Sequence, residues 1–253
     1  MVVLQTIIVA FSMYSALPMP QIEWTRENMR WALLALPAVG AVIGGVCCLW
    51  VYLCGWLHLP LIARGAGLAV LPILLTGGIH MDGYADVIDA QASRADPEKK
   101  REILKDPHLG AFAAIRIGVY LIVSLAVWTS LPEFRGWAIV CLFMLSRTLS
   151  ALSLACFPLA EGSGLARSFA EAADRAKLRN ALIALTALLA FALVPAGGAV
   201  MLLPAALVFW RHYRMATVDY AGLSGDLCGW FIQSSELWMA LGLCLFEYLE
   251  KAI

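Results

Sequence analysis

The chain has 253 residues, of which 62% are hydrophobic and only 14% charged, against about 25% charged in soluble domains. With a mean hydropathy of +0.80, this composition marks an integral membrane protein. The 18 Lys and Arg balance 18 Asp and Glu, so no basic field points to a nucleic-acid partner.

The N-terminal MVVLQTIIVAFSMYSALPMP has neither a basic leader nor an A-x-A-like cleavage site, so it does not read as a removed signal peptide. Its apolar run is short and ends at proline, which suits an interfacial or re-entrant segment better than a span. Spans of about 20 apolar residues are expected near 31–54, 61–79, 109–130, 137–157 and 229–250. The run 180–211 is too long for one helix and is broken by VPAGGAV. It is divided at that proline-glycine stretch into 180–194 and 198–211. The expected fold is all-α: one polytopic membrane bundle over 1–253, with about seven transmembrane helices and an N-terminal interfacial segment.

Alternate loops hold 13 of the 18 Lys and Arg, with the largest groups at 94–105 and 167–179. Basic residues are retained on the cytoplasmic side, so these loops are expected to face the cytoplasm. Dividing 180–211 in two keeps that alternation in phase. The seven cysteines show no metal-ligand spacing and read as small core residues. Trp24, Trp31, Trp50, Trp56, Trp128, Trp137, Trp210 and Trp230 read as interfacial anchors.

GGIHMDGYADVIDA, 77–90, breaks the apolar pattern. If 80–92 is helical, Asp82, Asp86 and Asp89, spaced four and then three residues, share one face. Like charges so spaced repel unless a cation sits among them. Oxygen-only ligation is what Mg²⁺ prefers, and carboxylates with a divalent ion commonly hold a diphosphate. A solvated helix end is the plain alternative. Gly83 admits a close approach by a ligand or another backbone. His80 either orients a carboxylate, touches a phosphate or caps the span. The segment 80–108 is expected to be a cytoplasmic catalytic loop, acidic and then basic. Asp106 near its end is either a second carboxylate station or a helix cap.

Arg147 lies deep in a span, where an unpaired charge is costly, so it is expected to face the interior and to clamp a phosphate. Arg116, nearer a span end, is equally placed to snorkel. Glu236 either pairs with an arginine or meets substrate. Gly222, Gly225 and Gly229 make 221–229 a bendable loop where amides can meet a phosphate, and Asp226 there is a ligand or a cap.

The motif H-x-D-G-x-A-D-x-x-D, His80 to Asp89, followed by E-I-x-K-D-x-x-x-G, Glu102 to Gly110, resembles the cobalamin synthase (adenosylcobinamide-GDP ribazoletransferase) family. SALPMP, LPAVGAVIGG (36–45), Ser146-Arg147, EGSGLARSF (161–169) and AGLSGDLCGWFIQSSE (221–236) resemble further family segments in order, so the likeness covers essentially the whole chain. Ala90, Pro107, His108, Ala111 and Ser224 depart from the usual pattern, and EGSGLA carries one extra residue.

The resemblance implies Mg²⁺-dependent transfer of the adenosylcobinamide phosphate moiety from adenosylcobinamide-GDP to α-ribazole or its 5′-phosphate, with release of GMP. It would be a phosphotransferase of the last steps of cobalamin biosynthesis in the bacterial cytoplasmic (inner) membrane, and an oligomer is possible. The ribazole 5′-oxygen is expected to attack. Asp82, Asp86 and Asp89 would hold the metal. Asp89 or Asp106 would take the proton, with His80 as a further catalytic candidate. Lys105, Arg147, Arg167, Gly225, Asp226 and Glu236 would bind substrate. Two other readings stand beside it. A CDP-alcohol phosphotransferase of lipid synthesis shares the D-x-x-D, but its later aspartate pair is missing here. An ion-coupled transporter would gather its carboxylates at mid-membrane.

Overall fold

The computed structural model describes residues 2–106, 108–160, 168, 169, 172 and 174–252. The fold is all-α. The described residues contain no strand, only one isolated parallel backbone pairing of Leu159 with Leu223. In chain order the helices are α1 (Val2–Tyr14), α2 (Arg26–Met29), α3 (Ala32–Trp56), α4 (Leu61–Leu75), α5 (Ile79–Ala92), α6 (Pro97–Ile103), α7 (Ala111–Ser130), α8 (Gly136–Cys156), α9 (Arg175–Leu193), α10 (Leu202–Arg214) and α11 (Gly225–Ala252). A short 3₁₀ turn precedes α10 and a π turn, Met215–Asp219, follows it.

Among the described residues, four helices are long and apolar enough to cross a membrane: α3, α7, α8 and α9. A fifth crossing results if α4 and α5, bent by 92° at a short break, form one broken span. On these criteria the expected count of seven is not reached. α10 has only 13 residues. α11 has 28, but its centre carries the buried polar run Gln233–Glu236. α1 is a short apolar helix of 13 residues, too short to span, as expected of an N-terminal interfacial segment. The division of 180–211 falls as the proline-glycine stretch predicts, between α9 and α10.

α8 is the hub. Fifteen of its 21 residues are buried. α3 packs against it through Gly40 and Gly44, where an added Cβ would meet the Phe143 carbonyl oxygen and the Val140 Cα. Such small-xxx-small spacing lets helix backbones close up in lipid, where packing drives association. Trp128 and Trp230 belong to this core rather than to a rim, at 5% and 9% exposure. Trp56, Trp137 and Trp210 are exposed. The seven cysteines are free, and most are buried.

The two ends of the bundle differ in chemistry. At one end Arg135 bonds the buried Glu247 at 2.9 Å, Glu247 also accepts from the Glu133 amide at 3.0 Å, and Arg64 donates to Leu131 O at 2.9 Å. At the other, the end of α1, α5, α6, the end of α8 and the start of α11 converge around one cavity. The basic stretch 94–105 and the start of α11 are therefore together, as the charge alternation predicted.

Candidate active site

The site begins with a turn. Gly77 (φ +64°) and Gly78 (φ +81°) adopt left-handed backbone that side chains disfavour, and the chain swings from α4 into α5 at 92°. α5 is helical over the acidic motif, so most of the segment read as a loop at 80–108 is two helices, α5 and α6, joined by 93–96. α5 buries His80, Gly83 and Val87 against the bundle and leaves Asp82 exposed and Asp86 and Asp89 half-buried.

α5 crosses the first turns of α11 at two glycines. A Cβ on Gly83 would lie 2.8 Å from Asp226 Cα and 2.9 Å from Asp226 O. One on Gly229 would lie 2.9 Å from His80 O. The close approach expected at Gly83 is thus made by the α11 backbone. It sets Asp226 beside the acidic motif: Asp86 lies within the electrostatic reach of Asp82, Asp226 and Asp89. Asp226 is not the helix cap. Ser224 takes that part, its hydroxyl accepting from Leu227 N at 3.3 Å while donating to Asp226 Oδ2 at 3.3 Å.

The cavity holds about 650 Å³, within the range of small-molecule sites. Its acidic side carries Asp82 and Asp226, with His80 and Gly225 beside them. α6 and the turn after it supply Glu98, Arg101, Glu102 and Lys105, and Tyr14, Leu36, Leu154 and Ile232 give an apolar part. His80 is 5% exposed and neither ring nitrogen has a hydrogen-bond partner among the described residues. Two unpaired buried nitrogens against a cavity are a costly arrangement unless a ligand completes them.

Other expected site residues lie elsewhere. Asp89 is turned toward α7, where Oδ2 accepts from Gly110 N at 2.7 Å and Oδ1 from Ala113 N at 2.9 Å. It caps α7, satisfying amides that the helix start leaves open. Asp106 stands outside the cavity and accepts from both His108 N (3.0 Å) and His108 Nδ1 (2.7 Å). Those bonds hold its carboxyl below the usual carboxylate range. α7 starts only at Ala111, so Asp106 neither caps it nor joins the acidic cluster.

Arg147 and Glu236 are both buried and form an ion pair with each other. Ser146 Oγ donates to Glu236 at 2.8 Å, and Arg147 Nη1 donates to Ser146 Oγ at 2.9 Å and Phe143 O at 3.2 Å. Neither lines the main cavity. The expected phosphate clamp is instead an internal pair, because a charge in apolar surroundings takes the nearest opposite charge. Arg116 is exposed on α7. Arg167 and most of 161–169 lie outside the described residues. Arg101 and Tyr14 were not singled out from sequence. Arg101 had a signal, since Glu98, Arg101, Glu102 and Lys105 repeat at the i, i+3, i+4, i+7 spacing of one helix face.

A divalent cation fits the donor chemistry here. Asp82 and Asp226 border the cavity, and no Lys or Arg pairs with either among the described residues. Their oxygens are hard donors of the kind Mg²⁺ takes, which commonly binds through one or two carboxylates plus phosphate oxygens and water. Among the described residues no three His, Cys, Asp or Glu side chains converge to enclose an ion by themselves.

Comparison with known proteins now decides the family. The family model described as Cobalamin-5-phosphate synthase matches residues 6–244. The chain belongs to that family. An adenosylcobinamide-GDP ribazoletransferase of Lachnoclostridium phytofermentans is 38% identical over 96% of this chain and 95% of its own. Proteins of the same name from Desulfitobacterium hafniense (32% identical, 92% of this chain and 94% of its own) and Halalkalibacterium halodurans (29%, 93% and 94%) are similar along their length. No solved structure matches the chain. As a member of the cobalamin-5-phosphate synthase family, the protein is a membrane transferase of cobalamin synthesis.

Proposed function

We propose that the protein transfers the adenosylcobinamide phosphate moiety of adenosylcobinamide-GDP to α-ribazole or α-ribazole 5′-phosphate and releases GMP, with Mg²⁺ bound at Asp82 and Asp226. The observation that carries this reading is the cavity bordered by His80 and by Asp82 and Asp226, two carboxylates that no Lys or Arg pairs with among the described residues. Carboxylates so placed suit a metal-bound diphosphate, whose transfer needs positioning and charge neutralisation more than covalent help. The ion, when bound, would neutralise the charge on the diphosphate oxygens. Asp86, expected from the sequence to hold the metal with Asp82, lies within the electrostatic reach of both aspartates but does not border the cavity. Neither aspartate-specific alternative, lipid phosphotransferase or transporter, accounts for the family match.

The attacking atom differs from the one expected from sequence. A 5′-phosphorylated acceptor has its 5′-oxygen esterified, and a product that is a cobalamin 5-phosphate keeps that phosphate. A free ribose hydroxyl therefore attacks the cobinamide-side phosphorus. Its oxygen forms the new O–P bond, the bond to GMP breaks, and the hydroxyl proton departs. His80 takes that proton: its ring nitrogens have no hydrogen-bond partner among the described residues, and it borders the cavity. Asp89 and Asp106 are both engaged elsewhere.

Positive-inside sidedness of the loops supports a cavity opening to the cytoplasm across a bacterial inner membrane. The test is GMP release by purified protein in detergent with adenosylcobinamide-GDP, α-ribazole and Mg²⁺. Wild type should turn over and lose turnover to chelator, and His80→Gln should lose about 10²-fold or more. No GMP release under any metal or acceptor would overturn the assignment.

A further inference from the structure

The cavity has a wall whose chemistry the transfer reaction does not use. α6 and the turn after it present Glu98, Arg101, Glu102 and Lys105 along one face, and all four border the cavity. Arg101 is half-buried while the other three are exposed, so it is the member turned furthest inward. Glu102 is held by Lys99 Nζ at 2.7 Å, and no carboxylate pairs with Arg101 among the described residues. α6 is fixed against the bundle by its neighbour: Lys100 Nζ stands 5.8 Å from the Tyr220 ring, whose hydroxyl donates to Val87 O on α5 at 3.3 Å. The inward guanidinium is therefore carried on an anchored wall.

Two anionic groups enter this cavity when the acceptor is phosphorylated. The diphosphate of the donor belongs at the acidic wall, where a divalent ion offsets the charge of Asp82 and Asp226. A phosphomonoester cannot approach those carboxylates without its own cation, and it takes no part in bond making. A planar, always charged guanidinium suits it, donating two parallel N–H bonds to phosphate oxygens. We propose that Arg101, assisted by Lys105 at the cavity mouth, binds the 5′-phosphomonoester of the acceptor and so sets the preference for phosphorylated over free ribazole. This rests on the function proposed above. It assigns Arg101 to substrate selection, not to the chemical step.

Direct binding separates this proposal from the function itself. Isothermal titration of detergent-solubilised protein with α-ribazole 5′-phosphate and with α-ribazole needs no turnover. Wild type should bind the phosphorylated form at least about tenfold more tightly, the scale of charge-assisted hydrogen bonds. Arg101→Ala should erase that preference while leaving the affinities for α-ribazole and adenosylcobinamide-GDP within about threefold. Arg101→Lys, which keeps the charge but not the fork, should retain part of it. The proposal is overturned if Arg101→Ala keeps the preference, if it weakens both acceptors equally, or if the donor's affinity falls instead. Absence of GMP release by wild type would count against the function and leave these titrations standing as the test of the phosphate site.

Discussion

Replacing Gly83 with alanine probes how the fold positions the acidic site. The new Cβ would lie 2.8 Å from Asp226 Cα and 2.9 Å from its carbonyl oxygen. Both atoms are backbone, so no side-chain rotation relieves the clash. Restoring an ordinary contact of about 3.4 Å requires α5 and α11 to part by roughly 0.6 Å. Overpacking of this size costs about 1–3 kcal/mol, partly offset by up to about 1 kcal/mol from the better helix propensity of alanine. Function should suffer more than stability, because the displaced residue is Asp226 itself and a shift near 1 Å at a reacting centre can cost about 10²-fold. Gly83→Ala should therefore fold, melt a few degrees lower, and release GMP at least tenfold more slowly. Gly118→Ala is the matched control, since a Cβ there meets nothing within 4 Å; it should leave turnover within about twofold. Thermal unfolding and GMP release on the two variants are the assay. Full turnover by Gly83→Ala would refute the claim that this helix crossing places Asp226.

Asp89→Ala removes both acceptors at the start of α7 and should lower stability by about 1–2 kcal/mol, seen as a drop of several degrees in thermal unfolding. Arg147→Met leaves Glu236 as an unpaired buried acid and should destabilise by about 3–5 kcal/mol, whereas Arg147→Met with Glu236→Leu should recover most of that loss. If the double variant is no more stable than the single, the two residues do not act as a pair.

Much of the bundle was legible because apolar runs and proline-glycine breaks act locally. The edges of α3, α7 and α8 fall within two residues of those expected, and VPAGGAV divides α9 from α10. The centre of α11 was harder, since Gln233 and Glu236 are stabilised only by partners far away in sequence, Tyr120 at 2.6 Å for Gln233 and Arg147 for Glu236. Helical spacing correctly grouped Asp82, Asp86 and Asp89 on α5. It could not tell that Asp89, one turn further from α11 than Asp86, meets the start of α7 instead of the cavity. Nor does spacing reveal that Gly83 and Gly229 cross, which is what adds Asp226 to the group. The pairing of Arg147 with Glu236 was one of two readings open from sequence, and choosing between them needed the packing of α8 against α11.

The central claim is that Asp82 and Asp226 together bind a divalent ion that holds the donor diphosphate. Electron paramagnetic resonance titration of Mn²⁺ into purified protein, with and without adenosylcobinamide-GDP, measures this directly. Wild type should bind Mn²⁺ more tightly when the donor is present and less tightly as pH falls, because protons compete for the carboxylates. Asp82→Asn and Asp226→Asn should each lose at least tenfold in Mn²⁺ affinity, and Asp89→Asn should stay within about threefold. Undiminished, donor-linked Mn²⁺ binding in an Asp82→Asn/Asp226→Asn double variant would contradict the account.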